Sequence, residues 1–289
     1  AYLYFNLPRD VLSASSAPGR AMQVGNPNLL QLPILGTNVT DFAQAREIES
    51  LAGTRYMRQR TRPAPIRSLP LDIPAREVDL TVDGRPVIGV EAGSLAPMPL
   101  RPGGTFAITG PAQSGRTNTV RWLARSVHSA FPNAVMLHAC ARRSLVAREP
   151  LWTETAQGAD KIASMLAKHA HLFEEEAPET TPGVVLFVEG IGEFSFSACD
   201  QQLQDAIASA KANGHLVVAE ADVSGWSFGG SLASGVRSGR TGIVLCPSPG
   251  EGENAVGVAV PGVSGREAVP GRGYFVQSGK QWKVQVPRV

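Results

Sequence analysis

The sequence predicts an α/β fold, a mostly parallel sheet flanked by helices, with an N-terminal extension of short strands. Three observations carry that prediction. From about residue 104 onward, short apolar runs alternate with amphipathic segments, the pattern of strands joined by crossover helices. The first of these runs, TFAIT at 105–109, leads through a glycine-rich loop straight into a helical pattern. A later run, VVLFVE at 184–189, is apolar without alternation, as expected of a strand buried on both faces.

The elements follow in order. Residues 1–100 hold eleven of the 22 prolines and little long-range periodicity. The exception is 39–53, where Phe42, Ala45, Ile48 and Leu51 recur at three-residue spacing and predict a short helix. Val78–Leu80 and Val87–Val90 flank Asp83-Gly84 and read as a hairpin. After TFAIT, residues Val120, Leu123, Val127 and Phe131 repeat every three or four positions and predict a helix. AVMLHA (134–139) is a strand, 159–173 a helix, 184–189 a strand and 200–213 a helix with Leu203, Ile207 and Ala210 inward. HLVVAEAD, GIVLC and GYFV supply further strands. The expected division is 1–75 as a linker or the tail of an upstream module, and 76–289 as the main domain.

Composition excludes several classes. With 43% hydrophobic and 18% charged residues among 289, the chain has material for a packed core. A net charge of +2 creates no global field for nucleic acid. Arginine dominates the cations, 22 of 27, and five lie between Arg55 and Arg67 with no acid, a run read as a solvated linker, with a patch for nucleic acid or an acidic partner as the alternative. Cys140, Cys199 and Cys246 form no metal pair or disulfide framework, which fits a reducing cytoplasm. No apolar run approaches the ~20 residues of a membrane-spanning helix. The opening AYLYFNL reads as a strand entered midway, as in a piece of a longer protein.

The segment from Gly110 to Thr117, GPAQSGRT, fits the phosphate-loop pattern G-x-x-x-x-G-[K]-[ST] with arginine in place of lysine. Glycines let the backbone turn its N–H groups inward, and the helix N-terminus adds partial positive charge. Gly110, Gln113, Ser114, Gly115, Arg116, Thr117 and Asn118 are therefore the candidate nucleotide-binding residues, with Thr117 placed to ligate Mg²⁺. Arg116 keeps the lysine's charge but presents a broad planar fork where a compact ammonium is expected. ATP and Mg²⁺ are the cofactors this pattern points to.

The acid side departs in the same direction. A Walker-B strand ends in an acid that holds Mg²⁺, usually followed by a second that polarises the attacking water. Here the strand ends in Glu189, and Gly190 stands at the second position. The next strand ends near Glu220 and Asp222, where a neutral polar sensor of the γ-phosphate is often found; a carboxylate repels phosphate. Three departures together argue against hydrolysis, and no catalytic residue is assigned. No base-reading NKxD motif supports a GTPase.

The order GPAQSGRT, VVLFVEG, HLVVAEAD, SGVRSGRTGIVLCPSP and VPGRGYFV resembles the FtsK/SpoIIIE-type ATPase modules of type VII secretion motors, the EccC and EssC proteins. The resemblance covers most of 80–289, and Pro18-Gly19-Arg20-Ala21 looks like the end of a preceding module. It implies a RecA-like P-loop core within a chain of tandem modules that sits on the cytoplasmic face of the plasma membrane through its parent protein. Later modules in such chains are often degenerate. The implied partners are neighbouring modules and a secreted substrate bearing a helical signal, with no membrane insertion by this segment and no nucleic acid. Arg237 and Arg240 stand where a trans contact to a neighbour's nucleotide is conceivable, although a helix-end position suits arginine equally. The expected function is therefore substrate recognition or regulation with weak or no hydrolysis. The alternatives are an active ATPase or a DNA-translocase module.

Overall fold

The computed structural model describes residues 3–4, 19–23, 29–53 and 68–289. The chain divides into two compact units, Ala1–Ile66 and Arg67–Val289. In the first, β1 (Leu3–Tyr4), β2 (Arg20–Gln23) and β3 (Leu29–Gln31) form a small antiparallel sheet. Helix α1 (Asp41–Ala52) follows, where spacing predicts it. Thr40 caps its start by accepting from Ala43 N, which satisfies one of the free first-turn donors. Phe42 and Ile48, whose spacing reveals the helix, are exposed. The Arg55–Arg67 run lies outside the described residues.

The second unit is built on one large sheet. It opens with the expected hairpin, β4 (Thr81–Val82) and β5 (Arg85–Glu91) around Asp83-Gly84, and β6 (Pro97–Pro99) pairs back onto β5. Next come β7 (Gly104–Thr109), α2 (Arg116–Ala130), β8 (Val135–Cys140), β9 (Glu154–Gln157) and α3 (Ala159–Glu174). They are followed by β10 (Val184–Glu189), α4 (Asp200–Asn213), β11 (Leu216–Glu220), α5 (Val223–Phe228) and α6 (Gly230–Arg237). The unit ends with β12 (Gly242–Leu245), α7 (Glu251–Val256), β13 (Arg272–Gln277) and β14 (Lys280–Gln285).

The strand order is β4-β5-β14-β13-β12-β7-β11-β10-β8-β9. The stretch from β12 to β9 is parallel throughout, and antiparallel strands extend it on the β13 side. The α/β expectation holds. Because β11 lies between β7 and β10, the loop after β7 faces the carboxyl ends of two neighbouring strands. That is the crevice where open parallel sheets bind ligands.

Side-chain alternation explains both faces. Phe106, Ile108, Val185, Phe187, Leu216 and Val218 pack with Val120, Leu123 and Val127 of α2. Ala107, Val184, Leu186, Val188, Val217 and Ala219 pack on the other face against α3 and α4. With a period of two, the residues that continue the α2 face are His138, Glu189 and Glu220. Polar groups therefore arrive under the start of α2 by the same alternation that builds the core. Among the described residues, no helix is long and apolar enough to cross a membrane.

Helix α2 is pinned by one carboxylate. Glu149, with its side chain 7% exposed, accepts from Arg121 Nε at 2.8 Å and from Arg125 Nε at 2.9 Å. Burial works to raise its pKa, but the hydrogen bonds from Arg125 and Arg121 outweigh it and hold the carboxyl below its ordinary value. A depressed folded pKa contributes stability above the unfolded value and loses it as pH falls through the folded one. Glu149→Gln is thus expected to lose about 1–3 kcal/mol near neutral pH. Urea unfolding at about pH 7 and about pH 3 should show that gap closing in acid.

Candidate functional site

The glycine loop joins β7 to α2 by a path that only glycine permits at two points. A Cβ on Gly110 would stand 2.5 Å from Ser114 Oγ and 2.7 Å from Leu245 O, closer than real contacts allow. Gly115 has φ 96° and would press a Cβ to 2.8 Å from Gly271 N. Gln113 also takes positive φ, at 65°, so the loop folds back on itself before α2 begins. Ser114 Oγ and Thr109 Oγ1 are buried without hydrogen-bond partners among the described residues.

The loop is buttressed from behind by the VPGRGYFV element. Gly271 N donates to Ser114 O at 2.8 Å, and Val286 N donates to Gly271 O at 2.8 Å. Arg272, 2% exposed, donates through Nε to Gln285 Oε1 at 2.9 Å and through Nη2 to Pro70 O at 2.7 Å. Arg272 is thus a strut behind the loop, directly after the turn that Gly271 makes with φ 83°.

In front of the loop lies a cleft of about 770 Å³. Arg116 and Thr117 form one wall, and Cys140 with the segment 141–145 forms another. Glu189, Gly190 and Glu193 come from the end of β10, while Glu220, Asp222, Gly225 and Phe228 come from the end of β11 and from α5. Phe228 and Leu145, 84% and 61% exposed, give this polar cleft an apolar rim. Phe196, 96% exposed with φ 61°, sits on the adjoining loop, which Ser195 Oγ ties to Gly229 O at 2.9 Å.

The charged residues of the cleft are engaged with one another. Arg116 Nη1 donates to Glu220 Oε1 at 2.5 Å, with the two side chains 24% and 12% exposed. The other carboxylate oxygen accepts from Gly190 N at 3.2 Å. Burial raises the Glu220 pKa more than Arg116 lowers it, and neighbouring Glu189 raises it further. Glu189 and Glu220 are register partners on adjacent parallel strands, so the two carboxyls stand side by side. Glu189 is held in turn by the fully buried His138, whose Nε2 lies 2.8 Å from Glu189 Oε1. His138 stacks on Trp152 at 4.9 Å. Its Nδ1 has no partner among the described residues. Arg142 pairs with Glu193 at 3.1 Å on the exposed rim. Asp222 caps α5 and is held below its usual pKa by the Gly225 N–H and the Ser224 hydroxyl. Cys140 is pushed up to about 11 by burial and the Glu189 charge, which leaves it an unreactive thiol.

The remaining predicted residues lie away from the cleft lining. Asn118 donates to Pro287 O at 2.8 Å and accepts from Val289 N at 2.9 Å, tying α2 to the strand end beyond β14. Arg237 donates to Trp226 O at 3.0 Å. Arg240 is exposed in a turn with φ 49°. Both flank Gly239, which abuts Thr105 at the start of β7, the end of that strand opposite the loop.

No protein-family model and no curated protein matches the sequence. Solved structures do match. The cytoplasmic domain of the type VII secretion ATPase EccC of Thermomonospora curvata aligns at TM-score 0.63 and 20% identity, covering 94% of this chain and 34% of that one. ATPases 2 and 3 of that EccC, solved with a signal sequence peptide, align at TM-score 0.64 and 19% identity over 97% and 55%. ATPases 2 and 3 of EssC from Geobacillus thermodenitrificans align at 0.62 and 20% over 94% and 56%. The fold is that of the EccC and EssC ATPase domains. The chain spans about a third to just over half of those structures.

Tested against Mg²⁺-ATP, the site divides. The backbone cradle suits a phosphate: the two glycines cannot be filled, and Ser114 Oγ and Thr109 Oγ1 have unused hydrogen-bonding capacity. The side chains do not suit it. Arg116 is paired through Nη1 with Glu220 and Glu189 through Oε1 with His138, so a γ-phosphate or a metal would compete with a protein partner at each. No chemical step follows from this arrangement.

Sequence reasoning misses His138, Leu145, Phe196 and Phe228. A histidine inside the apolar run AVMLHA is a signal for the first, but its partner depends on the β8–β10 register. The apolar rim residues lie on loops or at the end of the six-residue helix α5, too short to show a period. Removing the Arg272 strut by Arg272→Ala would strand buried acceptors, a loss of about 3 kcal/mol. Thermal unfolding followed by circular dichroism should show the melting temperature falling by ~10 °C.

Proposed function

We propose that this chain is a degenerate ATPase module of a type VII secretion motor, acting in substrate recognition or in regulating neighbouring modules, with weak or no ATP hydrolysis. The observation that carries this reading is the Arg116–Glu220 pair: the cation at the lysine position of the phosphate loop is neutralised inside the protein. Gly190, at the position of the second Walker-B acid, supports it, because glycine offers no base. The proposed nucleotide contacts are confined to the backbone and hydroxyls of Gly110, Gln113, Ser114, Gly115 and Thr117.

The proposed partners are neighbouring modules of the parent chain and a secreted protein with a helical signal. The parent holds the module at the cytoplasmic face of the membrane. An EccC relative was solved with a signal sequence peptide, which motivates the substrate half of the reading. The exposed Phe228 at the end of α5 and Phe196 on the adjoining loop motivate the other half, since exposed aromatic side chains beside a cleft are what a docked neighbour covers.

A coupled-enzyme assay with saturating ATP and Mg²⁺ tests the reading. Turnover should stay at least ~1000-fold below the ~10 s⁻¹ typical of enzymes. Turnover approaching that typical rate, lost on Thr117→Ala, would instead establish an active ATPase. The double change Phe196→Ser with Phe228→Ser should weaken association with an adjacent module supplied in trans by about ten-fold or more, without lowering the melting temperature.

A further inference from the structure

We propose that Glu220 is a built-in occupant of the phosphate site, a carboxylate that competes with polyphosphate for Arg116 and keeps an otherwise serviceable phosphate loop masked. This rests on the reading of the loop as a degenerate phosphate site and adds how that site is controlled.

Three observations converge. The loop is intact where backbone matters: Gly110 and Gly115 have no room for a Cβ, and Ser114 Oγ is buried and unpartnered. A loop with no use for an anion would gain by satisfying that hydroxyl. Second, Glu220 bridges the two sides of the cleft. One oxygen takes Arg116 Nη1 on α2, and the other takes Gly190 N beyond β10. A phosphate bound in the loop would draw on the charge of the same guanidinium, so the carboxylate and the ligand compete for it. Third, the position is unfavourable for a charge. Glu220 is 12% exposed and stands level with Glu189 on the next strand, and burial with that neighbour favours its neutral form. Because its folded pKa is raised, ionisation of Glu220 lowers stability as pH rises through that value. A charge held at a cost in this position is poorly explained as a structural brace.

Removing the charge therefore unmasks the site. Isothermal titration of the parent and of Glu220→Gln with Mg²⁺-ATP, and separately with sodium tripolyphosphate, should show both ligands binding the variant at least about ten-fold more tightly. Glu193→Gln makes the same charge change on the exposed rim of the cleft, and should shift affinity less than about three-fold. Arg116→Ala added to Glu220→Gln should abolish the gain. The melting temperature of Glu220→Gln should equal or exceed that of the parent. If Glu220→Gln loses its cooperative melt, Glu220→Ser, which removes the charge and puts a small neutral polar side chain there, takes its place in the titrations.

The proposal is overturned if affinity in the folded variant stays within about three-fold of the parent. It is equally overturned if Glu193→Gln reproduces the gain, or if the gain survives loss of Arg116. Its failure is separable from failure of the functional reading. Unchanged affinity with no turnover removes the masking carboxylate and leaves a non-hydrolytic module. Rapid turnover by the parent removes that reading whatever the variant binds.

Discussion

A carboxylate withdrawn from water must be paired, hydrogen-bonded or protonated, and at Glu220 that requirement organises the whole cleft. Its charge is answered by Arg116 at the tip of α2 and by the amide of Gly190 beyond β10. Glu189 cannot share the same cation and turns to His138. His138 is fully buried there and stacks on Trp152. Each polar group in the floor of the cleft follows from accommodating the one beside it.

This changes how the departures from an active ATPase are weighed. Taken along the sequence, arginine for lysine and glutamate for a neutral sensor are two separate losses that add up. In three dimensions they are one pair, and each makes the other tolerable: the cation and the carboxylate neutralise one another. Gly190 belongs to the same arrangement through its amide. In the proposed reading, what disfavours hydrolysis is less the number of changes than where the charge of Arg116 has gone.

The fold was legible because its signals are local. Continuous apolar runs gave β7, β8, β10 and β11, and three-to-four spacing gave α2, α3 and α4. The edge strand β9 is short and half exposed, and α5, α6 and α7 are too brief to show a period, so nothing marked them. The candidate residues of the loop were readable from spacing, because its backbone geometry demands glycine at fixed offsets. The pairings Arg116–Glu220 and His138–Glu189 were not. They depend on which strands lie next to each other and in what register, and alternation within a strand fixes the face a residue occupies but not its neighbour.

The buttress behind the loop carries a consequence for biosynthesis. The carbonyl of Ser114 is satisfied by the amide of Gly271, and the room beside Gly115 is closed by the same residue. These partners are far apart in the chain, and β13 enters the sheet between β12 and β14. During vectorial synthesis the parallel strands around β7 can assemble first, but the loop cannot take its final form until Gly271 and Val286 have left the ribosome. Long-range closure of this kind is slow, and N-terminal portions fold ahead of it. The glycine loop of the nascent module therefore stays slack until the C-terminal hairpin has joined the sheet.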